Sequence, residues 1–529
     1  MRYRSITLLF FLLAGFTACQ DELRERYQNP SSNIQPTIGE FFTGMLNNNR
    51  VRPSYWEMST FVNWHIGVYS QSVGYLNSPS MYQQNESYIE DRWEDYYRPG
   101  PNGAGVIANF REIEKAYNLL SEAEKKDAEV FVKAAKVVLY EQTSQMVDLW
   151  GDIPFSEAGG LNSSGEIVYA KFDSAVEIYS TMLEDLKSIS DFFSNANLNE
   201  SVQATFSKQD ILLEGNVEMW QRYTNSLLLR FLMRLSYVQE ENSKSNILEI
   251  LNNESQFPLL NLENYAPAHD DILLMPLLTY TDDLHHAFLD WINYPAPYYI
   301  LENVLKPVND LRIPVLYDKY GVTTNGNFTS NSEFNALPLT FKTSDQQANL
   351  EHYAIIDSAT FLFNTKLPGV LLTASEVNFL KAEAYERWGG GNPEQEYFNG
   401  IKNSIIFYYY LNSLNTINFN PLTAPTNQEI NDFLSNSDSL QYTGSSAERL
   451  QKIWTQKWVH FGFLQSVQSW SEIRRTGYPQ LLFNPASLTG YELPPTRLTY
   501  PSNEKTYNEN YAKVASQDLR NAKIFWDVK

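Results

Sequence analysis

The sequence predicts a mainly α-helical fold, a degenerate helical-repeat scaffold with long irregular insertions and a few short strands. Two observations predict it. Several stretches carry apolar residues at helical spacing, and the segments between them are rich in Pro, Asn, Asp and Ser. Paired amphipathic helices along one chain favour stacking, because each pair buries a face that it could not bury alone.

Four stretches carry the clearest helical period. Each places one apolar set on one helix face. The sets are Phe131, Ala135, Val138, Met146 and Leu149; Trp220, Leu227, Phe231 and Leu235; Val377, Leu380, Ala384 and Trp388; and Leu450, Trp454, Trp458 and Phe461. Shorter partner helices are predicted at 106–120, 172–189 and 393–411. No clean repeat period connects these segments, so the repeat is a degenerate one.

Two long segments lack this period. Residues 240–373 contain seven prolines between Pro258 and Pro314, and residues 412–445 are rich in Asn and Ser. Both segments are predicted to form loops with occasional strands. Loops of this length are usually functional or disordered, so they are the places to look for a binding site.

Cys19 is the single cysteine of the 529-residue sequence and follows an apolar run directly. A lone cysteine forms no internal disulfide, which leaves an inert thiol, a reactive nucleophile or an attachment point. Arg2 and Arg4 precede the apolar run, and small residues lead up to the cysteine, which is the layout of a bacterial secretory signal. Residues 16–19 resemble a lipobox, in which the cysteine is acylated and becomes the mature N-terminus. An ordinary cleaved signal with a bystander cysteine is the alternative.

These features predict a signal peptide over 1–18, lipidation at Cys19 and a flexible polar tether over 19–36. Stable anchoring takes about two acyl chains. A cysteine that carries two or three acyl chains would supply them. Asp21 and Glu22 resemble the acidic export signal of surface lipoproteins in Bacteroidetes-type bacteria. The expected location is the outer membrane, lipid-anchored and facing the exterior.

Charge and aromatic content narrow the function classes. The formal net charge is −22, from 62 acidic and 40 basic side chains, without basic clusters. Nucleic acid is therefore not an expected partner, because phosphate neutralisation needs concentrated positive charge. Aromatic residues make up 14% of the chain, which suits recognition of sugars or peptides by flat rings, although many of these rings must belong to the core.

Five segments, in a fixed order, resemble the SusD/RagB family of outer-membrane nutrient-binding lipoproteins. They are DLWGDIPFSEAG (148–159), GNVEMWQRYTNSLLLRFLMRLS (215–236), TASEVNFLKAEAYERWG (373–389), TQKWVHFGFLQSVQSWSEIRRTGYPQL (455–481) and LPPTRLTYPSNEKTYNENY (493–511). One departure is NDLRIP (309–314), where the family often has Asp-Pro-Arg. The resemblance extends from Cys19 to about Tyr511.

The resemblance implies about four tetratricopeptide-like helix pairs, with a more variable part packed on them. It also implies a surface protein that binds glycans or oligopeptides, caps a SusC-like TonB-dependent barrel and performs no chemistry of its own. The SusD-like domain would span 37–529. Its expected parts are repeat elements at 106–238, 373–411 and 447–470, variable parts at 54–105, 240–372 and 412–446, and a C-terminal segment at 471–529.

The polar and aromatic residues of the family segments are predicted to belong to the scaffold. Arginine beside aromatic residues on a helix is more often a packed, paired group than a ligand site, and a buried arginine must be paired. The residues concerned are Trp220, Asn225, Arg230, Arg234, Glu383, Trp458, Trp470, Arg474 and Arg475.

Catalytic and metal motifs give little support to an enzyme. The sequence contains no HExxH, GxSxG or Walker motif. TDDLHH places Asp282, Asp283, His285 and His286 together, but adjacent histidines on a helix point about 100° apart and would share a metal only in an irregular loop. No metal or cofactor is predicted. Acidic pairs such as Glu90 and Asp91 leave a surface hydrolase as an alternative function.

Two aromatic-rich segments are the predicted ligand sites. A sugar-binding surface needs rings that stack on pyranose faces beside amides and carboxylates, and a peptide groove uses similar rings. The first segment is 74–100, which has no convincing apolar helix face, and the second is DWINYPAPYYI (290–300). The candidate residues are Tyr75, Tyr82, Trp93, Tyr96, Tyr97, Trp291, Tyr294 and Tyr298. The alternative is that these rings pack the insertions against the helices.

The expected function is therefore capture of an oligosaccharide or an oligopeptide and its delivery to a SusC-like TonB-dependent barrel. A surface hydrolase on a helical scaffold and a repeat adaptor that binds only proteins are the alternatives. Nothing in the residues separates glycan cargo from peptide cargo.

Overall fold

The computed structural model describes residues 37–100, 105–161, 165, 168–260, 264–277, 284–289, 295–415 and 419–529. Cys19 and the predicted signal and tether at 1–36 lie outside these residues. Within the described ranges, no helix is both long enough and apolar enough to cross a bilayer.

Helices form most of the described chain, which confirms the predicted fold class. The α-helices are α1 Ile38–Leu46, α2 Glu86–Tyr97, α3 Val106–Asn118, α4 Glu122–Trp150, α5 Ala175–Asn195, α6 Glu200–Gln209, α7 Val217–Leu235, α8 Glu240–Asn252, α9 Pro267–Asp270, α10 Leu284–Leu289, α11 Ile313–Leu316, α12 Thr343–Asn349, α13 Ala374–Trp388, α14 Pro393–Ser413, α15 Asn427–Asn436, α16 Ser446–Phe461, α17 Ser466–Thr476 and α18 Ser502–Tyr507. π-Helical segments lie at Glu57–Ile66, which continues into a helical turn at Gly67–Tyr69, and at Tyr299–Leu305 and Ser358–Leu362. Short 3₁₀ turns lie at Lys306–Val308, Leu350–His352, Asp438–Leu440, Glu509–Lys513 and Ala515–Gln517.

The four strongly periodic stretches are helices α4, α7, α13 and α16, as predicted. Each is preceded by an N-cap residue whose side chain accepts a hydrogen bond from a backbone N–H of the first helical turn. These residues are Ser121, Asn216, Thr373 and Ser445. Glu124 and Glu448 complete capping boxes with the two serines. The sequence therefore encodes both the apolar stripe of each helix and the point at which it starts.

The helices pack in pairs along the chain. The pairs are α3 with α4, α5 with α7, α13 with α14, and α16 with α17. Helix α13 also packs against α7 and α16, so the two halves of the scaffold meet there. The predicted partner helix at 172–189 begins later, at Ala175, because Phe172 and Asp173 form a strand.

A network of buried charges joins the paired helices. Arg475 of α17 contacts Glu383 of α13 at 2.6 Å and Glu472 at 2.7 Å, and Lys457 of α16 lies 2.6 Å from Glu472. Arg234 of α7 pairs with Glu472 and with Asp148 of α4. These family-segment residues are buried and paired, as the scaffold interpretation predicted, so removing any one of them would leave an uncompensated charge in the core.

Three of the four ladders found among the described residues lie in the predicted variable part at 240–372, and one lies within the predicted repeat element at 106–238. Four two-stranded antiparallel ladders occur among the described residues: β1 Ile153–Pro154 with β2 Phe172–Asp173, β3 Ile272–Leu274 with β8 Gly369–Leu372, β4 Tyr317–Asp318 with β7 Ile355–Ile356, and β5 Gly321–Thr324 with β6 Asn327–Ser330. Asn325 and Gly326 connect β5 and β6 with φ values of 51° and 78°, a conformation that favours this residue pair in a two-residue hairpin.

Helices were missed in both predicted loop segments, among them α8 in the first and α15 in the second. Helix α8 occupies 240–252 and buries Ile247, Ile250 and Leu251, whose spacing of three and four marks one helix face. The prediction missed this helix because these three apolar residues lie in a stretch that consists mainly of Glu, Asn and Ser.

In NDLRIP (309–314), Leu311 stands where the family often has Pro, but the Asp and the Arg on either side are kept. Asp310 and Arg312 are fully buried and form two hydrogen bonds, from the Arg312 Nε at 2.9 Å and from Nη2 at 2.8 Å. Nη2 of Arg312 also donates to Gln456 of α16 at 2.7 Å. The turn therefore fixes the insertion onto the scaffold.

Candidate functional site

Three of the predicted ligand residues are core residues in the structure. Tyr75, Tyr82 and Tyr96 are at most 5% exposed. The Tyr82 hydroxyl donates to the Asn484 carbonyl at 3.0 Å, and the Tyr96 hydroxyl lies 2.7 Å from the Thr143 hydroxyl. In this structure these rings have no face open to a ligand, which corrects the prediction of an exposed platform for them.

The physical reason is that residues 86–97 form helix α2. Asn85 caps this helix by accepting from the Tyr88 N–H. Ile89, Trp93 and Tyr96 then follow at spacings of four and three and form its buried face. Two of the three apolar residues are aromatic, and the buried face also carries Arg92 and Asp95, so the stripe does not stand out as apolar in the sequence.

Trp93 and Tyr97 of α2 reach a concave surface. The Trp93 ring is 2% exposed and packs at 5.1 Å from Trp150 and 5.7 Å from Tyr500, measured between ring centroids. The half-buried Tyr97 packs 5.0 Å from Trp93, and its hydroxyl donates to the Pro154 carbonyl at 2.9 Å. Both rings are thus held in place from below and line the hollow above them.

This hollow, which we call the tyrosine groove, lies between α2, residues 168–170 and α18. Its volume is about 470 Å³, within the range of small-molecule sites. Tyr169 and Tyr507 line it and are 56% and 71% exposed. The groove therefore combines two fixed rings, Trp93 and Tyr97, with two rings that are open to solvent.

Hydrogen bonds hold the walls of the tyrosine groove together. Asn508 donates to the Ala170 carbonyl at 3.1 Å and to Glu504 at 3.0 Å. Asn503 donates to Glu94 of α2 at 3.2 Å, and the Trp93 indole N–H donates to Glu504 at 3.3 Å. These bonds connect all three segments of the wall, so the groove is formed before any ligand arrives.

The groove is acidic. Glu90, Glu94 and Glu504 line it, and Arg98 is paired with Glu94. Partial burial, and then the negative charges of Glu94 and Asp91, raise the pKa of the Glu90 carboxyl. Carboxylates and amides beside exposed rings can accept hydrogen bonds from sugar hydroxyls or from peptide N–H groups.

A second hollow of about 400 Å³ adjoins the groove and shares Glu94 and Arg98 with it. Trp56, which is 46% exposed, and Asp91 line this hollow. Sequence reasoning missed Trp56, Tyr169 and Tyr507. Only Tyr507 carries a signal in the sequence, because it lies among Asn and Glu residues, whereas Trp56 and Tyr169 have apolar neighbours in sequence.

The described part of the second predicted segment starts at Pro295, which lies next to Gly74 of the first segment. A Cβ on Gly74 would lie 1.7 Å from the Pro295 carbonyl oxygen, so only glycine permits this close approach. Trp291 and Tyr294 lie outside the described residues, and Tyr298 is half-buried against the core. Ligand binding by Trp93, Tyr97, Trp291, Tyr294 and Tyr298 stays a prediction.

The TDDLHH segment is described only in part. His285 and His286 are neighbours on helix α10, whereas Asp282 and Asp283 lie outside the described residues. Across the described ranges, no three potential His, Cys, Asp or Glu ligands come together.

Comparisons with known proteins agree with this fold. The sequence matches the SusD-like family model, described as "Starch-binding associating with outer membrane", over residues 28–501. None of the curated proteins compared with the sequence matches it. A solved chitin-binding protein superposes with a TM-score of 0.72 at 21% identity, over 92% of this chain and all of its own.

Two further solved structures are similar. A SusD homologue from Bacteroides fragilis has a TM-score of 0.72 at 20% identity and covers 93% of this chain and 100% of its own. A chitin-binding SusD homologue from Flavobacterium johnsoniae has a TM-score of 0.64 at 21% identity, with 93% and 99% covered. Because the family model spans most of the sequence and the fold agrees with these structures, the chain belongs to the SusD-like family.

Proposed function

We propose that the protein is a cell-surface lipoprotein that captures a nutrient oligomer in the tyrosine groove and delivers it to a SusC-like TonB-dependent barrel. Family membership supports a nutrient-binding role at the outer membrane. The observation that carries the proposal is the groove itself, in which the exposed rings of Tyr169 and Tyr507 stand beside fixed amides and carboxylates. Acylation at Cys19 would hold the protein at the membrane surface.

An oligosaccharide is the favoured cargo, and an oligopeptide is the alternative. Exposed tyrosine rings offer flat faces to pyranoses, and Glu90, Glu504 and Asn503 offer partners for hydroxyl groups. The starch-binding description of the family and the chitin-binding structural neighbours point in the same direction. The groove is proposed to bind its ligand without transforming it.

Calorimetry with maltoheptaose, chitohexaose and a mixed peptide pool tests this function. Replacing Tyr507 with Ala removes a ring that is 71% exposed, so stability should hardly change. Binding of the preferred oligosaccharide should weaken by about 1–2 kcal/mol, which is roughly five- to thirtyfold in Kd. Tyr169→Ala should act in the same direction.

Phe328→Ala is the matched control, because Phe328 is also aromatic and 60% exposed but lies on the β5–β6 hairpin. Equal affinity of wild-type protein and the Tyr507 variant would refute the groove as the site. Product formation during the titration, detected by chromatography, would instead favour the hydrolase.

A further inference from the structure

The hollow that adjoins the tyrosine groove contains an exposed indole ring. We call it the tryptophan hollow, and it encloses about 400 Å³. Its lining consists of Trp56, Asp91, Glu94, Asp95 and residues 98–100. Glu94 and Arg98 also line the tyrosine groove, so the two hollows meet at this pair of side chains.

Trp56 is unusually exposed for its residue type. It is 46% exposed, whereas tryptophan is highly buried on average in folded proteins. Its ring meets the Tyr55 ring edge-on, with the centroids 5.1 Å apart, so the protein holds the ring on one side. Tryptophan rings that are held in place and line a pocket are typical of the residues that contribute most to binding.

Buried ion pairs fix the position of Trp56 relative to helix α2. The Arg50 Nε donates to Asp95 of α2 at 2.8 Å, and Arg50 also pairs with Glu57, the residue that follows Trp56. The side chains of Arg50, Glu57 and Asp95 are at most 9% exposed. Breaking either pair would leave a charge without its partner in the core, so the tryptophan hollow is formed before a ligand arrives.

A surface ion pair marks the boundary between the two hollows. Arg98 pairs with Glu94, one helical turn earlier, and the Arg98 side chain is 64% exposed. Exposed pairs of this kind contribute little to stability, so a ligand can displace Arg98 with little loss. The guanidinium group also donates hydrogen bonds in a fixed fork, which neighbouring hydroxyl groups of a sugar can accept. The boundary is therefore a place that an oligosaccharide can cross.

The chemistry of the tryptophan hollow matches that of the tyrosine groove. The indole of Trp56 offers an apolar face to a pyranose, and the carboxylates of Asp91 and Glu94 accept hydrogen bonds from hydroxyl groups. Among the described residues that line the hollow, three carboxylates stand against the one guanidinium of Arg98. An acidic sugar would therefore be repelled, and a neutral one would not.

We propose that the tryptophan hollow is a second subsite for the cargo of the tyrosine groove, and that Trp56 makes the protein select long neutral oligosaccharides over short ones. The inference rests on the proposed function. Each hollow has the size of a small-molecule site, so a chain must be long to occupy both. Once one part of a long chain is bound at Tyr507, the rest reaches Trp56 at a high effective concentration, which raises the overall affinity.

Calorimetry with a short and a long chain tests this selection. The probes are chitobiose and chitohexaose, or maltose and maltoheptaose. Wild-type protein should bind the long chain of the preferred pair about tenfold or more tightly than the short one. Trp56→Ala should weaken binding of the long chain by about tenfold and leave the affinity for the short chain unchanged, because the short chain occupies the tyrosine groove alone.

Trp64→Ala is the matched control. Trp64 belongs to the π-helical segment that begins directly after Trp56 and is 54% exposed, but it lines neither hollow. This change should leave both affinities unaltered. Trp56→Phe keeps an aromatic ring and should recover part of the affinity for the long chain. Unchanged binding of the short chain shows at the same time that a variant is folded.

The outcomes separate this inference from the proposed function. Equal affinity of wild-type protein and Trp56→Ala for the long chain would overturn the subsite and leave the proposed function intact. An equal loss for both chains would also overturn it, since Trp56 would then act only through the tyrosine groove. If Tyr507→Ala weakens neither chain, or if none of these sugars binds the wild-type protein, both proposals fail.

Discussion

Glu383 shows at the residue scale how the scaffold keeps charges in its core. Its carboxylate is fully buried between α13 and α17. Burial alone would raise its pKa, but Arg475 and Lys457 outweigh burial and lower the pKa of Glu383 to about 2. The ion therefore persists at neutral pH because its cations are built into neighbouring helices.

Glu383→Gln should lower the free energy of unfolding by about 3–5 kcal/mol, because it leaves the buried charge of Arg475 short of a partner. Urea denaturation followed by circular dichroism measures this. Glu249→Gln, at an exposed position on α8, is the control and should change stability by less than about 0.5 kcal/mol. A loss of similar size in both variants would contradict the assigned role of Glu383.

The ion pair of Glu383 and Arg475 also predicts how the stability of the protein depends on pH. A carboxyl whose pKa is lower in the folded protein stabilises it above its unfolded pKa, near 4.5, and loses this effect as the pH falls towards 2. Wild-type protein should therefore lose stability between these values, and the Glu383→Gln variant should lose less. Parallel curves for the two proteins would show that Glu383 is not the titrating group.

Helix α2 shows at the element scale how one segment serves both core and groove. Tyr96 belongs to its buried face, Glu90, Glu94 and Tyr97 line the tyrosine groove, and the buried Trp93 ring lies at the floor of that groove. The sequence analysis predicted one exposed platform of rings in this segment, whereas Tyr96 belongs to the core. A helix turns a run of closely spaced aromatics to different sides, so their roles depend on a periodicity that mixed polar residues obscure.

Tyr96→Phe separates these two roles. The change removes the hydroxyl that pairs with Thr143 at 2.7 Å and should cost about 1 kcal/mol of stability. Affinity for oligosaccharide should stay the same, because the Tyr96 ring does not line the groove. Thermal melting measures the stability and calorimetry the affinity, both on the same sample. A fall in affinity without a fall in stability would show that Tyr96 belongs to the ligand site.

The scaffold could be predicted from the sequence, but the groove could not. Helices α4, α7, α13 and α16 follow from apolar spacing within about thirty residues and from capping serines, threonines and asparagines. The tyrosine groove brings together Tyr97, Tyr169 and Tyr507. These residues are far apart in the sequence and meet only through tertiary packing. Periodicity carries no information on such contacts.

At the scale of the whole molecule, the account predicts that a lipid on Cys19 attaches the protein to the membrane. Cys19→Ser should remove the acylation site and move the protein from the membrane fraction to the soluble fraction of a cell extract, because an acyl chain contributes about 0.8 kcal/mol for each buried methylene. Immunoblots of the two fractions measure this. Folding should be unaffected, since Cys19 belongs to the predicted signal and tether segment, ahead of the SusD-like domain expected at 37–529. Unchanged membrane attachment of the variant would contradict a lipid anchor at Cys19.

A crystal structure of the protein grown with the oligosaccharide that binds best, maltoheptaose or chitohexaose, tests the central claim most directly. We predict sugar rings in the tyrosine groove, against Tyr169 and Tyr507 and within hydrogen-bond distance of Glu504 or Asn503. An empty tyrosine groove in a crystal that holds the sugar elsewhere on the protein would contradict the account.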